Sequence, residues 1–282
     1  MSASPSSSAQ AAREVIAARL GALRREAELT GHELARRCGW SPAKSSRIER
    51  ARTPASDADI RAWCKATGAE EEAADLIAAN RQAEQMYVQW KKLHRHGMRR
   101  AQEEVMPLYR NTHHLRVYCS NVVPGILQTE PYATALLAGI AAFQGTPDDS
   151  AAAAASRLER SRVLYEGGHR FAFVLEETVL RYRIGDPEVM AGQLGYLMTV
   201  MSLPNVSLGV IPFAAPRRMW PLEAFYLFDT RQASVETLTA AVNVTAPSEV
   251  GTYAKAFREL SRMAVHGGAA RALVSEAINA LG

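Results

Sequence analysis

The chain has 282 residues and is 48% hydrophobic, long enough for two domains and apolar enough for a buried core. Its three cysteines, Cys38, Cys64 and Cys119, lie far apart with no C-x-x-C pair, which excludes a disulfide framework or cysteine zinc site and fits a reducing cytoplasm. The net charge of +4 hides an asymmetry: residues 1–100 hold 18 Lys+Arg against 12 Asp+Glu and the remainder 15 against 17, as a basic nucleic-acid reader joined to a near-neutral second module would.

No run approaches the roughly 18 apolar residues of a membrane span, so no membrane partner is expected. The opening MSASPSSSAQ has neither a basic region nor an apolar core, so residues 1–11 read as a disordered tail rather than a signal peptide. A first helix is expected over residues 12–28, with Ile16, Leu20, Leu23 and Ala27 at helical spacing and Gly21 as a weak point.

The stretch from Leu29 to Arg52 then reads as two short helices around a tight turn. Thr30 with Glu33 makes a capping box, Gly39 supplies a left-handed turn residue, Ser41 caps the second helix and Pro42 fits its first position. Ile48 anchors that helix, while Lys44, Ser45, Ser46 and Arg47 are polar or cationic. Such a face suits DNA: N-terminal amides and Lys44 can meet phosphates, and Arg47 can reach a guanine edge. Thr53-Pro54 breaks the chain, Ser56 or Asp57 caps a fourth helix carrying Ile60, Trp63 and Cys64, and a fifth runs from Glu70 to about Met86.

These residues resemble the helix-turn-helix of the XRE (lambda-repressor-like) family, through LRREAELT, ELA, the G-W-S turn, SRIE and the trailing Thr53-Pro54. The resemblance implies a five-helix DNA-binding domain. Ala51 departs from it, because the family usually places a left-handed Gly after the recognition helix; Ala there costs about 1 kcal/mol, or the helix ends differently.

Residues 87–110, aromatic and basic, read as one helix crossing between domains. Lys91, Lys92, Arg95, Arg99 and Arg100 form either a solvated face or a second phosphate surface, and the solvated face is the simpler reading. His94 and His96 lack the spacing of a helical metal pair, so no metal is expected. From Leu115 the pattern changes to strand, helix near 130–142 and a second helix bearing Arg157, Arg160 and Arg162. Strand signals follow at 170–176, 206–213, 224–229 and 234–244, with a helix over 187–201 and a closing helix pair over 248–263 and 269–281.

This rear half is similar to the C-terminal domain of the WhiJ-like group of actinomycete XRE regulators, through VVPGILQTEPYA, RLERSRVL, VLEETVLR, GDPEVMAGQL and LPNVSLGVIPF. That resemblance implies a transcriptional regulator working with a small protein partner, often encoded nearby, in pairs also described as antitoxin-like; it carries over no catalytic residue. The residues themselves offer no nucleophile elbow, metalloprotease helix or phosphate loop. Glu176-Glu177 point to opposite faces of a strand and read as a strand end turning to solvent. Arg217, Arg218 and Trp220 sit in a loop that could touch a partner or ligand.

The expected architecture is α+β: a helix-turn-helix domain over 12–85, a helical basic linker over 86–114 and a mixed α/β dimerisation or regulatory domain over 115–282. The expected function is a cytoplasmic, nucleoid-associated, sequence-specific transcriptional regulator, not an enzyme, with no cofactor. Pro42, Ala43, Lys44 and Arg47 would face the bases of a double-stranded operator, and Ser41, Ser46, Arg36 and Arg52 its phosphates. A homodimer follows from the two half-sites such folds read. The rival reading is an antitoxin-like protein whose main task is to hold a small protein partner.

Overall fold

The structure, a computed structural model, describes residues 7–85, 87–245 and 247–282. Residues 1–6 of the expected tail lie outside the described residues, whereas 7–11 belong to the first helix. Contacts divide the chain into two compact units, 1–88 and 89–282.

The front unit holds α1 (Ser7–Glu26), α2 (Gly31–Cys38), α3 (Pro42–Glu49), α4 (Asp57–Thr67) and, after a 3-10 turn at Glu70–Glu72, α5 (Ala73–Gln85). Its core joins Ile16, Leu20 and Leu23 of α1 to Leu34, Ile48, Ile60 and Trp63. Trp63 is fully buried, and its indole N–H donates to the Leu20 carbonyl at 2.9 Å, so α4 is tied to α1 by a polar bond as well as by area. Gly21, read from sequence as a weak point, has a packing reason: a Cβ there would meet the Glu49 Oε1 at 3.0 Å. Glu49 occupies that space because Arg24, one helical turn from Gly21, grips its carboxylate with Nε at 3.0 Å and Nη2 at 2.6 Å.

In the rear unit the residues read as one linker helix are instead broken. Strand β1 (Tyr87–Gln89) straddles the division and is followed by α6 (Trp90–Leu93), α7 (Arg99–Glu104) and α8 (Met106–Arg110). Gly97 explains the break: its φ of +100° is closed to most side chains, and a Cβ would lie 2.6 Å from the Asp149 Cγ. Asp149 needs that space to accept the amides of Met98 and Arg99 at 2.7 and 2.9 Å. Met98 is fully buried with Ala133, Leu137 and Ala153.

The remainder runs β2 (His114–Cys119), α9 (Glu130–Gln144), α10 (Ser150–Ser161), β3 (Arg170–Glu176), α11 (Glu177–Arg181), α12 (Pro187–Val200), β4 (Val206–Ile211), β5 (Phe225–Phe228), β6 (Gln232–Glu236), β7 (Ala240–Val244), α13 (Pro247–Ser261), β8 (Val265–His266) and α14 (Gly267–Asn279). Strands β2, β3 and β4 are parallel, joined by helical crossovers, while antiparallel β5-β6-β7 extend the sheet beyond β2 and β8 pairs with β4. Alternate residues face opposite layers. Val117, Phe173, Leu175 and Val210 pack with α12 and α14 residues Leu194, Leu197 and Val274; Tyr118, Val174 and Leu227 pack with Phe257 and Leu260 of α13. The fold is therefore mixed α+β, a helical front and a sheet layered by helices behind.

Two strand expectations change. Residues 234–244 form two strands, because Thr237 and Ala240 close a turn with a 2.8 Å amide–carbonyl bond. The two-residue β8 carries no periodicity long enough to read in sequence.

Candidate nucleic-acid interface

The turn between α2 and α3 is built by its end groups. The Thr30 hydroxyl accepts the Glu33 amide at 3.2 Å, and the Glu33 carboxylate accepts the Thr30 amide at 2.8 Å. The bond from the Thr30 amide, and then the one the Thr30 hydroxyl donates to the same carboxylate at 2.7 Å, hold the Glu33 pKa below its ordinary value. Gly39 ends α2 at φ 72°. Ser41 takes the N-cap position of α3 but its hydroxyl makes no cap bond, and Pro42 opens the helix. Pro42 brings no N–H, and the Lys44 amide already donates to the Ser41 carbonyl at 2.9 Å, which leaves the Ala43 amide without a side-chain cap at the helix start.

On α3, Ser45 and Ile48 are buried and set its inward face; Pro42, Ala43 and Arg47 are exposed on the opposite one. Buried Ser45 satisfies its hydroxyl on the Pro42 carbonyl at 3.1 Å, so it is a packing residue. The Arg24–Glu49 pair fixes the far end of α3 against α1, and Arg24 also donates to the Leu29 carbonyl at 2.7 Å. The bond to Glu49 raises the Arg24 pKa further, so this clamp stays charged.

Arg47 presents a guanidinium with no hydrogen bond or ion pair among the described residues, and Arg36 and Arg52 are likewise exposed and uncommitted. Ser46 is half-buried beside them. Lys44 differs. Its Nζ lies 2.5 Å from the Asp59 Oδ1 and 4.3 Å from the centre of the Trp40 ring, so the side chain bridges α3 to α4. Partial burial opposes the charge on Asp59, but the bonds from Lys44 and from the Ser56 amide and hydroxyl outweigh it and hold its pKa low. Ser56 rather than Asp57 is the N-cap of α4, and Asp59 closes its capping box. The S-x-x-D spacing carries that box in sequence; its capture of Lys44 needs the fold.

Ala51 has φ 52°, so it does adopt the left-handed conformation. The Arg52 and Thr53 amides return to the Arg47 carbonyl at 2.8 and 3.3 Å, closing the C-terminus over a non-glycine residue.

In the rear unit the loop candidates separate. Arg217 forks onto Glu176 with Nη1–Oε1 at 2.7 Å and Nη2–Oε2 at 2.6 Å, and Tyr118 donates to the same carboxylate at 2.9 Å. Arg217 is thus an internal clamp, and Glu176 is 4% exposed, not turned to solvent. Glu177 is buried too, holding Arg181 and the Phe213 amide. Trp220 remains 68% exposed, and Arg218 is exposed beside it. Arg99 and Arg100 pair with Glu103 and Glu104, as a solvated face does; the side chains of Lys91 and Lys92 lie outside the described ones. Among the described residues no group of three His, Cys, Asp or Glu is placed to hold a metal, and no helix is long and apolar enough to cross a membrane.

Residues 15–77 match a family described as a helix-turn-helix domain, so the front unit is of the class its geometry defines. Residues 102–276 match a second family, described as a domain of unknown function (DUF5753), and the chain belongs to that family. Curated proteins give no match. A solved structure titled "Structure of TrmBL2, an archaeal chromatin protein, shows a novel mode of DNA binding" aligns over 85% of this chain and 88% of its own at 12% identity, but its TM-score of 0.33 is too low to carry an inference.

Proposed function

We propose that this protein is a sequence-specific transcriptional regulator that reads double-stranded DNA with α3 in the major groove. The observation that carries the reading is the uncommitted Arg47 guanidinium on an exposed helical face whose other end is clamped by Arg24 and Glu49. Pro42, Ala43 and Arg47 face the bases; Ala43 offers a methyl to thymine and Arg47 two donors to guanine. Ser41, Ser46, Arg36 and Arg52 flank them as phosphate contacts. Lys44 serves as a brace to Asp59 rather than as a base contact.

The rear domain mediates dimerisation and senses a ligand or partner, without catalysing a reaction; a two-fold operator with half-sites about 34–36 Å apart matches a dimer of such domains. The cytoplasm, at the nucleoid, is where such a regulator works. The test is a titration of the purified chain against the DNA upstream of its own gene and against scrambled DNA, at low and near-physiological salt. A preference of roughly a thousandfold that survives the higher salt supports operator reading, and equal, salt-fragile binding to both DNAs refutes it.

A second reading, an antitoxin-like protein holding a small protein partner, draws on Trp220, an exposed aromatic on a loop pinned at Arg217 and Leu222. It predicts a tight protein complex in which Trp220→Ala loosens the partner and leaves DNA affinity unchanged.

A further inference from the structure

Two stretches singled out in the sequence, VVPGILQT and RLERSRVL, meet inside the rear unit around a pair of arginines that has no acid to neutralise it. Arg157 and Arg160 stand one turn apart on α10. Arg157 donates Nε to the Gln102 Oε1 at 3.1 Å and Nη1 to the Gln128 Oε1 at 2.6 Å. Arg160, 5% exposed, shares the same Gln102 oxygen at 3.2 Å and stacks 4.6 Å from the centre of the Tyr109 ring. Its Nε is buried with no hydrogen-bond partner among the described residues. Two guanidiniums therefore lean on neutral amide oxygens, and neither forms an ion pair among the described residues.

That arrangement is costly unless something supplies negative charge. A buried cation without a counterion loses hydration that a shared amide oxygen does not restore, and the two positive charges repel each other. Burial, and then the charge of Arg160, push the Arg157 pKa down to about 10. The acidic group whose field reaches Arg157 is Glu236, exposed at the end of β6 and bonded to neither arginine.

The pair also has a cradle. Gly125 faces both side chains: a Cβ at that position would lie 3.1 Å from the Arg160 Nη2 and 3.5 Å from the Arg157 Nε. Its backbone has no left-handed angle to demand glycine; the absent side chain instead lets both guanidiniums pack against the Gly125 backbone. Arg157 is half-buried, whereas Arg160 is buried.

We propose that Arg157 and Arg160, over Gly125, form a binding site for a small oxyanion, the phosphate or carboxylate group of an effector, and that inorganic phosphate alone suffices to occupy it. The guanidinium forks supply the planar donors that such groups take, and Gln102 and Gln128 hold the arginines ready in its absence. The site does not depend on DNA being bound, and its test does not read DNA.

Scanning calorimetry of the full chain, in phosphate and in chloride at equal ionic strength, tests it. Phosphate is expected to raise the unfolding midpoint of the rear unit by about 2–6 °C over chloride. Arg157→Gln should shrink that difference to the general stabilisation that excluded phosphate gives a folded chain. Should that variant fail to fold, Gly125→Ala, which places a methyl against the Arg160 Nη2, should lower the apparent phosphate affinity about tenfold while leaving the chloride midpoint nearly unchanged. Equal midpoints in the two salts for the unaltered chain would overturn the proposal, and so would a phosphate shift of undiminished size in either variant.

Discussion

At the scale of single residues, charge alone does not identify a DNA contact; what matters is whether the charge already has a partner. Lys44 and Arg47 are three positions apart on α3 and read alike in sequence. The fold gives Lys44 to Asp59 and Trp40 and leaves Arg47 uncommitted. Arg47→Ala should therefore cost about 1–3 kcal/mol of operator binding and relax the preference at one base position, read by titrating operators substituted base by base. Lys44→Ala should leave the salt slope of binding nearly unchanged and instead remove about 1 kcal/mol of stability, the sum of an exposed ion pair and a cation–π contact. A slope that falls by about one unit in that variant would return Lys44 to the phosphate contacts. Glu28 offers a stability test away from the interface. It is exposed with φ 57°, so Glu28→Gly should raise stability by about 0.5–1 kcal/mol in urea unfolding, the relief of left-handed strain less the entropy glycine adds to the unfolded chain.

At the scale of elements, what sequence made legible is what local chemistry decides. The Thr30–Glu33 capping box, Gly39 at the end of α2 and Pro42 at the start of α3 all sit where residue type alone places them. The exceptions have non-local causes. Residues 87–110 have helical composition, yet Asp149, some fifty positions on, captures the amides of Met98 and Arg99 and breaks the run at Gly97. Glu176 reads as a strand end facing water because its partners, Tyr118 and Arg217, come from distant strands and loops. The same non-local logic gives α4 a pH response. The depressed pKa of Asp59 means that its contribution is complete above its unfolded value, about 3.9, and is lost as the pH falls through the lower folded value. The urea midpoint of the front unit should drop between about pH 5 and pH 2. Asp59→Asn should flatten part of that drop but not all of it, since Glu33 and Glu72 are also held low by their bonds.

At the scale of the whole molecule, each described hydrophobic cluster lies within one unit. The front cluster draws on residues from Ile16 to Ile77, and the three rear clusters on residues from Met98 onward. Each unit has its own buried aromatics and its own capped helices, so cooperative unfolding should stop at the division near Val88. Calorimetry of the full chain is then expected to show two transitions, and a fragment ending at residue 88 should reproduce one of them. The two ligands act as independent labels. Operator DNA binds the folded front unit and should raise that transition alone, whereas an oxyanion at Arg157 and Arg160 should raise the other. If DNA shifts both transitions together, the units are coupled, and the coupling free energy is measurable in that experiment. If each shifts only its own, the two units respond independently within one chain.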